Sequence, residues 1–198
     1  VVREGGRGTV LVGMVTNEGR DLELRAACAV LGVRDVRVLG PVPEGAAVPG
    51  FRFIDRSSTD MAVLIDLVDE HVQDVAPDAV LMPPVTAYNQ EHRLITAATL
   101  AALRPMAGTD RRVVPFVGCY EHGGDHWGVA AQVPPVFYVE LSPADIDAKI
   151  AALHAHVSQV RTAPSERSAR SVEALAQHRG LQAGVMWAEA FEVRRWVA

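Results

Sequence analysis

The chain has 198 residues, of which 49% are hydrophobic, and a formal net charge of −5. This length supports one ordinary hydrophobic core, so we expect a single domain over residues 1–198. The charges form no basic patch, which argues against nucleic acid as a partner. The apolar runs are strand-sized and interrupted by Pro or Gly, so we expect no membrane partner. The two cysteines, Cys28 and Cys119, are too few for a disulfide framework and favour a cytoplasmic protein.

Strand-like and helix-like segments alternate along the chain. Residues 9–15 form a continuous apolar, β-branched run, as expected of a strand that is buried on both faces. Residues 21–31 place apolar side chains at helical spacing, and Gly32 then supplies a helix stop. This alternation predicts an α/β fold with a Rossmann-like, mostly parallel sheet and helices on both faces. The other predicted strands are residues 33–39, 77–82, 113–117 and 136–140, and the other predicted helices are residues 59–75, 93–103, 142–160 and 171–177.

Loops that follow strands are the first candidates for a site, because ligands of parallel sheets bind beyond the carboxyl ends of the strands. Asn17, Glu44 and His92 fall in such loops. His92 has the strongest case, since it follows a strand and two prolines and lies at the start of a predicted helix. The alternative is a solvated histidine at a helix start.

A Gly-rich loop later in the chain combines four metal-binding side chains within six residues. Two imidazoles and two carboxylates could bind a divalent ion there, with His92 completing the set. The alternative is a polar loop whose charges are solvated. Cys119, close to this loop, could suggest a thiol nucleophile, but we favour a buried structural thiol. The four side chains are Glu121, His122, Asp125 and His126.

Six sets of short segments follow one another in a fixed order along nearly the whole chain. They are Thr16-Asn17-Glu18-Gly19 with Arg20-Asp21-Leu22-Glu23-Leu24, Val38-Leu39-Gly40 with Pro43-Glu44-Gly45, Pro77-Asp78-Ala79-Val80, Asn89-Gln90-Glu91-His92-Arg93, Lys149-Ile150-Ala151-Ala152-Leu153 with Ser158-Gln159, and Ala188-Glu189-Ala190-Phe191. Together these segments resemble one family, the LmbE/PIG-L family of metal-dependent N-deacetylases. The resemblance implies a single LmbE-like α/β domain that hydrolyses an N-acetyl amide on an amino sugar or glycosylated metabolite, with zinc as cofactor.

The resemblance also implies roles for individual residues. His92 corresponds to a histidine ligand of the family's zinc ion. Glu91 stands where the family has an aspartate and is our candidate catalytic residue, able to orient a neighbouring group. Arg20 and Glu44 correspond to residues that contact the substrate. Asn89 lies near the position of a family histidine that acts as a proton donor. Because an amide cannot titrate near neutral pH, we assign Asn89 to substrate binding instead.

One departure concerns the family's main metal-binding motif, His-Pro-Asp-Asp, which does not occur in this sequence. The opening Val2-Arg3-Glu4-Gly5-Gly6 resembles the end of the family's first helix, so we expect the family's first strand and helix to be absent. A catalytic zinc site usually has three protein ligands, and one histidine alone binds zinc poorly. We therefore expect zinc to be absent or weakly bound in this chain.

Three hypotheses for the function follow. The first is an N-deacetylase for a small-molecule substrate, with the chain truncated or degenerate at the metal site. The second, which Asn89 favours, is a non-catalytic family member that serves in binding or scaffolding. The third, ranked lower, is a different enzyme with a new site around His92, His122 and His126. An open sheet edge could also pair with a second copy, so a homo-oligomer is an open alternative.

Overall fold

The computed structural model describes residues 5–13, 18–38, 61–106, 109–124 and 137–198. The predicted site positions Asn17, Glu44, Asp125 and His126 lie outside these ranges. Within them, no helix is long and apolar enough to cross a membrane. In chain order the elements are β1 (Thr9–Val12), α1 (Glu18–Val30), β2 (Asp35–Val38), α2 (Met61–Val75), β3 (Ala79–Met82), α3 (Gln90–Ala102), β4 (Phe116–Tyr120), β5 (Phe137–Glu140), α4 (Pro143–Ala155), α5 (Ala169–Ala183) and β6 (Ala188–Trp196).

The chain divides into two compact units. The first unit contains Val1–Arg56 and Glu140–Trp187, and the second contains Ser57–Val139 and Ala188–Ala198. The single domain over residues 1–198 therefore stays a prediction. The predicted α/β class is confirmed, because each unit combines helices with a parallel strand pair.

The first unit combines a short strand pair with three helices. β1 and β2 are parallel, with Thr9 opposite Asp35. α1 packs against α4 and buries Ala27 and Cys28. The helix stop at Gly32 is confirmed, since this glycine follows α1 in a left-handed conformation with a φ of 76°.

Capping residues define the ends of α4 and α5. Ser142 and Asp145 form a capping box at the start of α4, as their spacing predicts. α4 ends before residue 160, the end that the sequence pattern predicts. α5 extends beyond residues 171–177, because Ser168 caps its start and Gly184, with a φ of 77°, ends it.

The second unit contains a four-stranded sheet in the order β3-β4-β6-β5. β3 and β4 are parallel, with Met82 opposite Cys119. β4 and β6 are antiparallel, with Tyr120 opposite Phe191. α2 and α3 pack against each other, and α3 also contacts β3. The interior of this unit includes Val68, which is almost completely buried.

Two strands of the second unit differ from the sequence-based prediction. β4 spans Phe116–Tyr120 rather than residues 113–117, because Pro115 has no amide hydrogen for a strand ladder and the buried run continues beyond it. The sequence pattern does not predict β6, since its charged residues interrupt the apolar run. A strand of this composition forms because it pairs with β4, which lies far from β6 in the sequence.

Candidate functional site

The carboxyl end of β3 leads into the helix that contains the strongest site candidate. Pro83 follows β3, and its carbonyl accepts a 3.0 Å hydrogen bond from Thr96 Oγ1 in α3. Thr96 is buried, so this bond ties α3 to the end of the strand. His92 lies one helical turn before Thr96 and is therefore held at the carboxyl end of β3, the side on which α/β folds bind ligands.

Asn89 and Glu91 both take part in the start of α3. Asn89 is the N-cap, and its Oδ1 accepts a 2.9 Å hydrogen bond from the backbone N–H of Glu91. The helix therefore begins at Gln90 rather than at residue 93 as predicted, and His92 lies inside its first turn. The Glu91 carboxylate in this turn suits the positive end of the helix dipole. Substrate binding by Asn89 and catalysis by Glu91 stay predictions.

Two histidine rings meet at this end of the sheet. The ring centroids of His92 and His122 are 6.1 Å apart, and the ring planes form an angle of 86°. His122 follows β4, and parallel neighbouring strands place the segments after their carboxyl ends at one edge of the sheet. The structure thus brings together two histidines that the sequence analysis selected in separate loops.

The turn after His122 fixes the position of its ring. The backbone N–H of Gly124 donates a 3.2 Å hydrogen bond to Nδ1 of His122. A Cβ atom at Gly124 would lie 3.1 Å from Cε1 of His122 and 3.7 Å from Cε1 of Tyr88. The absence of a side chain at Gly124 therefore allows the imidazole to lie against the backbone of its own turn.

Two charged residues that no sequence pattern singles out lie beside Cys119. Cys119 is opposite Glu192 of β6 in the strand register, and both residues are buried. Arg194 forms an ion pair with Glu192. The register of the two strands shifts between Val117 and Gly118, which leaves Arg194 as the extra residue of a β-bulge. Their one sequence signal is that they lie within three residues after the segment of β6 that resembles the family.

Cys119 behaves as a structural thiol. Its side chain is 1% exposed. Burial raises the pKa of this thiol, and a hydrogen bond with Arg194 opposes the shift without reversing it. Because the thiolate is the nucleophilic form, a raised pKa makes Cys119 a poor nucleophile at neutral pH.

The described residues do not assemble the predicted metal cluster. Within the described part of the chain, no group of three or more His, Cys, Asp or Glu side chains could hold a metal ion. Glu121 and His122 belong to that part, whereas Asp125 and His126 do not. The assignment of His92 as a metal ligand stays a prediction.

Arg20, a predicted substrate contact, belongs to the first unit. It lies in the first turn of α1 and is half-buried. Hydrogen bonds from Ser158 lower the pKa of the Glu23 carboxyl, and the charge of Arg20 lowers it further. Arg20 is therefore near an acidic group on its own helix. Its contact with substrate stays a prediction, as does that of Glu44.

Several solved structures resemble this chain in fold. The conserved protein TT1542 from Thermus thermophilus has a TM-score of 0.71 and 23% identity, covering 100% of this chain and 85% of its own. GalB, the 4-carboxy-2-hydroxymuconate hydratase from Pseudomonas putida, has a TM-score of 0.66 and 18% identity, covering 100% and 88%. N,N'-diacetylchitobiose deacetylase from Pyrococcus horikoshii has a TM-score of 0.63 and 17% identity, covering 88% and 62%. No protein-family model and no curated protein sequence matches the chain.

The chain therefore has the fold of LmbE/PIG-L-type deacetylases. The proteins with which it shares this fold include a hydratase as well as a deacetylase. Since one fold supports more than one reaction, the function has to be argued from the site.

Proposed function

We propose that this chain is a metal-dependent N-deacetylase of the LmbE/PIG-L type that acts on an acetylated amino-sugar metabolite. The observation that carries the proposal is the position of His92, in the first turn of α3 at the carboxyl end of β3. The family resemblance assigns a zinc-binding histidine to this position. The likeness in fold to a deacetylase of N,N'-diacetylchitobiose supports the class of substrate.

Hydrolysis of an acetamide needs a polarised carbonyl and an activated water molecule. A zinc ion supplies both when bound, because it acts as a Lewis acid and lowers the pKa of its water to about 7. His92 would hold the ion through one imidazole nitrogen, and Glu91 beside it would orient a group at the reacting centre. Since catalytic zinc sites usually have three protein ligands, we propose that the ion is weakly held.

Three residues are proposed to contact the substrate. Arg20 and Glu44 would bind polar groups of the sugar, as the family resemblance implies. Asn89 uses its Oδ1 atom to cap α3, so its Nδ2 group is the one proposed to donate a hydrogen bond to the substrate.

The proposal is tested by acetate release from a panel of N-acetylated amino sugars, with and without added zinc. We expect zinc-dependent release by the wild-type chain and loss of release in His92→Ala. His178→Ala is the matched control, because His178 is exposed on α5 and has no proposed role. Unchanged release in the His92 variant would exclude His92 as the metal ligand.

The alternative is a non-catalytic family member that binds an amino-sugar ligand. Asn89 favours it, because its side chain caps a helix and cannot donate a proton near neutral pH where the family has a histidine. This alternative predicts ligand binding without acetate release, even with added zinc. Saturable binding of an N-acetylated sugar in calorimetry, with no acetate formed, would decide in its favour.

A further inference from the structure

We propose that Tyr88 is a substrate-binding residue whose phenol ring stacks against the ring of an N-acetylated amino sugar. This contact makes Tyr88 a determinant of selectivity, because it favours a cyclic acetamide over an acyclic one. The inference deepens the proposed function and rests on it for the class of ligand, but it requires no metal ion.

Tyr88 lies in the loop that joins the carboxyl end of β3 to α3. Ligands of α/β folds bind at this edge of the sheet. Among residues 83–89, all of which the structure describes, Tyr88 is the one exposed residue, with 48% of its surface accessible. A tyrosine exposed in this way presents a flat apolar ring with a polar hydroxyl group at its tip, which is a common lining of ligand sites.

The residues on either side of Tyr88 are fixed by the fold. Ala87 is 1% exposed, and its backbone N–H donates a 3.1 Å hydrogen bond to the carbonyl of Pro84. Asn89 caps α3 with its side chain. The backbone therefore holds the tyrosine ring in place, so little conformational entropy is lost when a ligand contacts it.

Tyr88 borders the pair of histidines in the candidate site. A Cβ atom at Gly124 would lie 3.7 Å from Cε1 of Tyr88 and 3.1 Å from Cε1 of His122. The phenol ring and the imidazole ring thus flank the same bare backbone position, and the ring of His122 also contacts that of His92. Asn89, whose Nδ2 group is the proposed donor to the substrate, is the next residue after Tyr88. An apolar ring and polar groups therefore occur at one edge of the sheet.

A pyranose ring has two kinds of surface that suit this arrangement. Its hydroxyl and acetamido groups project from the rim, whereas C–H groups form apolar patches on its faces. An aromatic ring covers such a face while polar groups bind the rim. Covering roughly 60 Å² of apolar surface corresponds to about a tenfold gain in affinity. An acyclic acetamide has the same amide group but no such face, so stacking on Tyr88 distinguishes the two.

The inference is tested by calorimetric titration of the full chain with two probes, N-acetylglucosamine and the acyclic N-acetylethanolamine. We expect the wild type to bind N-acetylglucosamine more tightly. Tyr88→Ala should lose about tenfold in affinity for the sugar and little for the acyclic acetamide. Tyr88→Phe keeps the ring and should bind both probes nearly as the wild type does. Thermal unfolding of each variant verifies that it is folded.

The matched control is Trp196→Ala. Trp196 is 63% exposed and lies opposite Phe116, the first residue of β4, so it is at the other edge of the sheet from Tyr88. It would bind the sugar equally well if exposure of an aromatic ring were sufficient. We expect this variant to keep the wild-type affinity for N-acetylglucosamine.

The outcomes separate this inference from the proposed function, which acetate release tests. If Tyr88→Ala binds the sugar as tightly as the wild type, or if Trp196→Ala loses the affinity instead, the inference is wrong whatever the acetate assay shows. If the Tyr88 variants behave as expected but no acetate is released, the inference stands and the deacetylase function is rejected. A wild type that does not prefer N-acetylglucosamine to the acyclic probe, including one that binds neither, also overturns the inference.

Discussion

The carboxylate of Glu23 accepts two hydrogen bonds from Ser158, one from the backbone N–H and one from the hydroxyl group, each 2.7 Å long. Glu23 lies in α1, and Ser158 lies just after α4, 135 residues further along the chain. Both residues belong to segments that resemble the LmbE/PIG-L family. The hydrogen bonds therefore join two segments of the first unit that lie far apart in the sequence and that each resemble the family.

The Glu23–Ser158 pair predicts how stability depends on pH. The hydrogen bonds from Ser158, led by that of its side chain, lower the pKa of Glu23 below its ordinary value of 4.5. A carboxyl group whose pKa is lowered by folding stabilises the folded state at pH values above its ordinary pKa. This stabilisation is lost as the pH falls through the lowered pKa. We expect the melting temperature of the wild type to fall more steeply below pH 4.5 than that of Glu23→Gln. Circular dichroism melts across this pH range provide the measurement.

The control for this prediction is Glu70→Gln, since Glu70 is exposed on α2 in the other unit. It should follow the wild-type dependence on pH. Parallel curves for Glu23→Gln and the wild type would contradict a stabilising role for the Glu23 carboxylate.

A second prediction concerns Arg195 of β6, which joins two separate parts of the second unit. Its Nη2 donates a 2.5 Å hydrogen bond to the carbonyl of Leu103 at the end of α3, and its Nη1 donates a 3.3 Å bond to the carbonyl of Val114. Leu103 and Val114 are buried, so removal of Arg195 takes these donors from buried carbonyls. We expect Arg195→Ala to lower the free energy of unfolding by about 1–3 kcal/mol in urea titrations.

The matched control is Arg104→Ala. Arg104 also donates a hydrogen bond to a carbonyl near the end of α3, that of Ala101 at 2.9 Å, but its side chain is exposed. We expect a change within about 0.5 kcal/mol. If the two substitutions lower the free energy of unfolding equally, burial of the accepting carbonyls does not determine how much stability is lost.

Elements with a strong local signal are the ones that the sequence predicts best. Gly32 ends α1 and Ser142 begins α4, because each position depends on the conformation of a few adjacent residues. β4 is shifted from its predicted range, because Pro115 and the register with β3 decide where the ladder begins. β6 depends on pairing with β4, which no local pattern along β6 reveals.

The sequence predicts which side chains belong to the candidate site, but it does not predict how these side chains are arranged in space. His92 and His122 stand out by residue type and by the loops in which they occur. Their contact depends on the parallel pairing of β3 with β4, and the hydrogen bond from Gly124 to Nδ1 of His122 depends on the turn that follows β4. Arg194 could not be predicted at its position, because a β-bulge places it there.

A third prediction separates the capping role of Asn89 from its proposed contact with the substrate. Asn89→Ala removes the cap of α3 and should lower the free energy of unfolding by about 0.5–2 kcal/mol. Asn89→Asp keeps a capping oxygen and should leave stability nearly unchanged, but it removes the Nδ2 donor. We therefore expect Asn89→Asp to weaken binding of an N-acetylated sugar without weakening the fold, as measured by calorimetry beside urea titrations. Unchanged affinity in this variant would leave Asn89 with the capping role alone.

A fourth prediction sets helix propensity against packing at Gly180 in α5. Alanine is favoured over glycine in a helix interior by about 1 kcal/mol. However, a Cβ atom at Gly180 would lie 2.5 Å from the carbonyl oxygen of Met186 and 2.7 Å from that of Val185. These are backbone atoms that cannot rotate away, and overpacking of this kind typically costs about 1–3 kcal/mol. We expect Gly180→Ala to lower the free energy of unfolding.

The control for Gly180 is the next residue, Leu181, which is 82% exposed. Leu181→Ala changes the same turn of α5 without a packing conflict, so its effect should stay within about 0.5 kcal/mol. If Gly180→Ala instead raises the free energy of unfolding, the gain in helix propensity outweighs the steric conflict between the new Cβ atom and the backbone of residues 185 and 186. The segment after Gly184 would then have to move away from α5, and its amide hydrogen exchange should become faster in the variant than in the wild type.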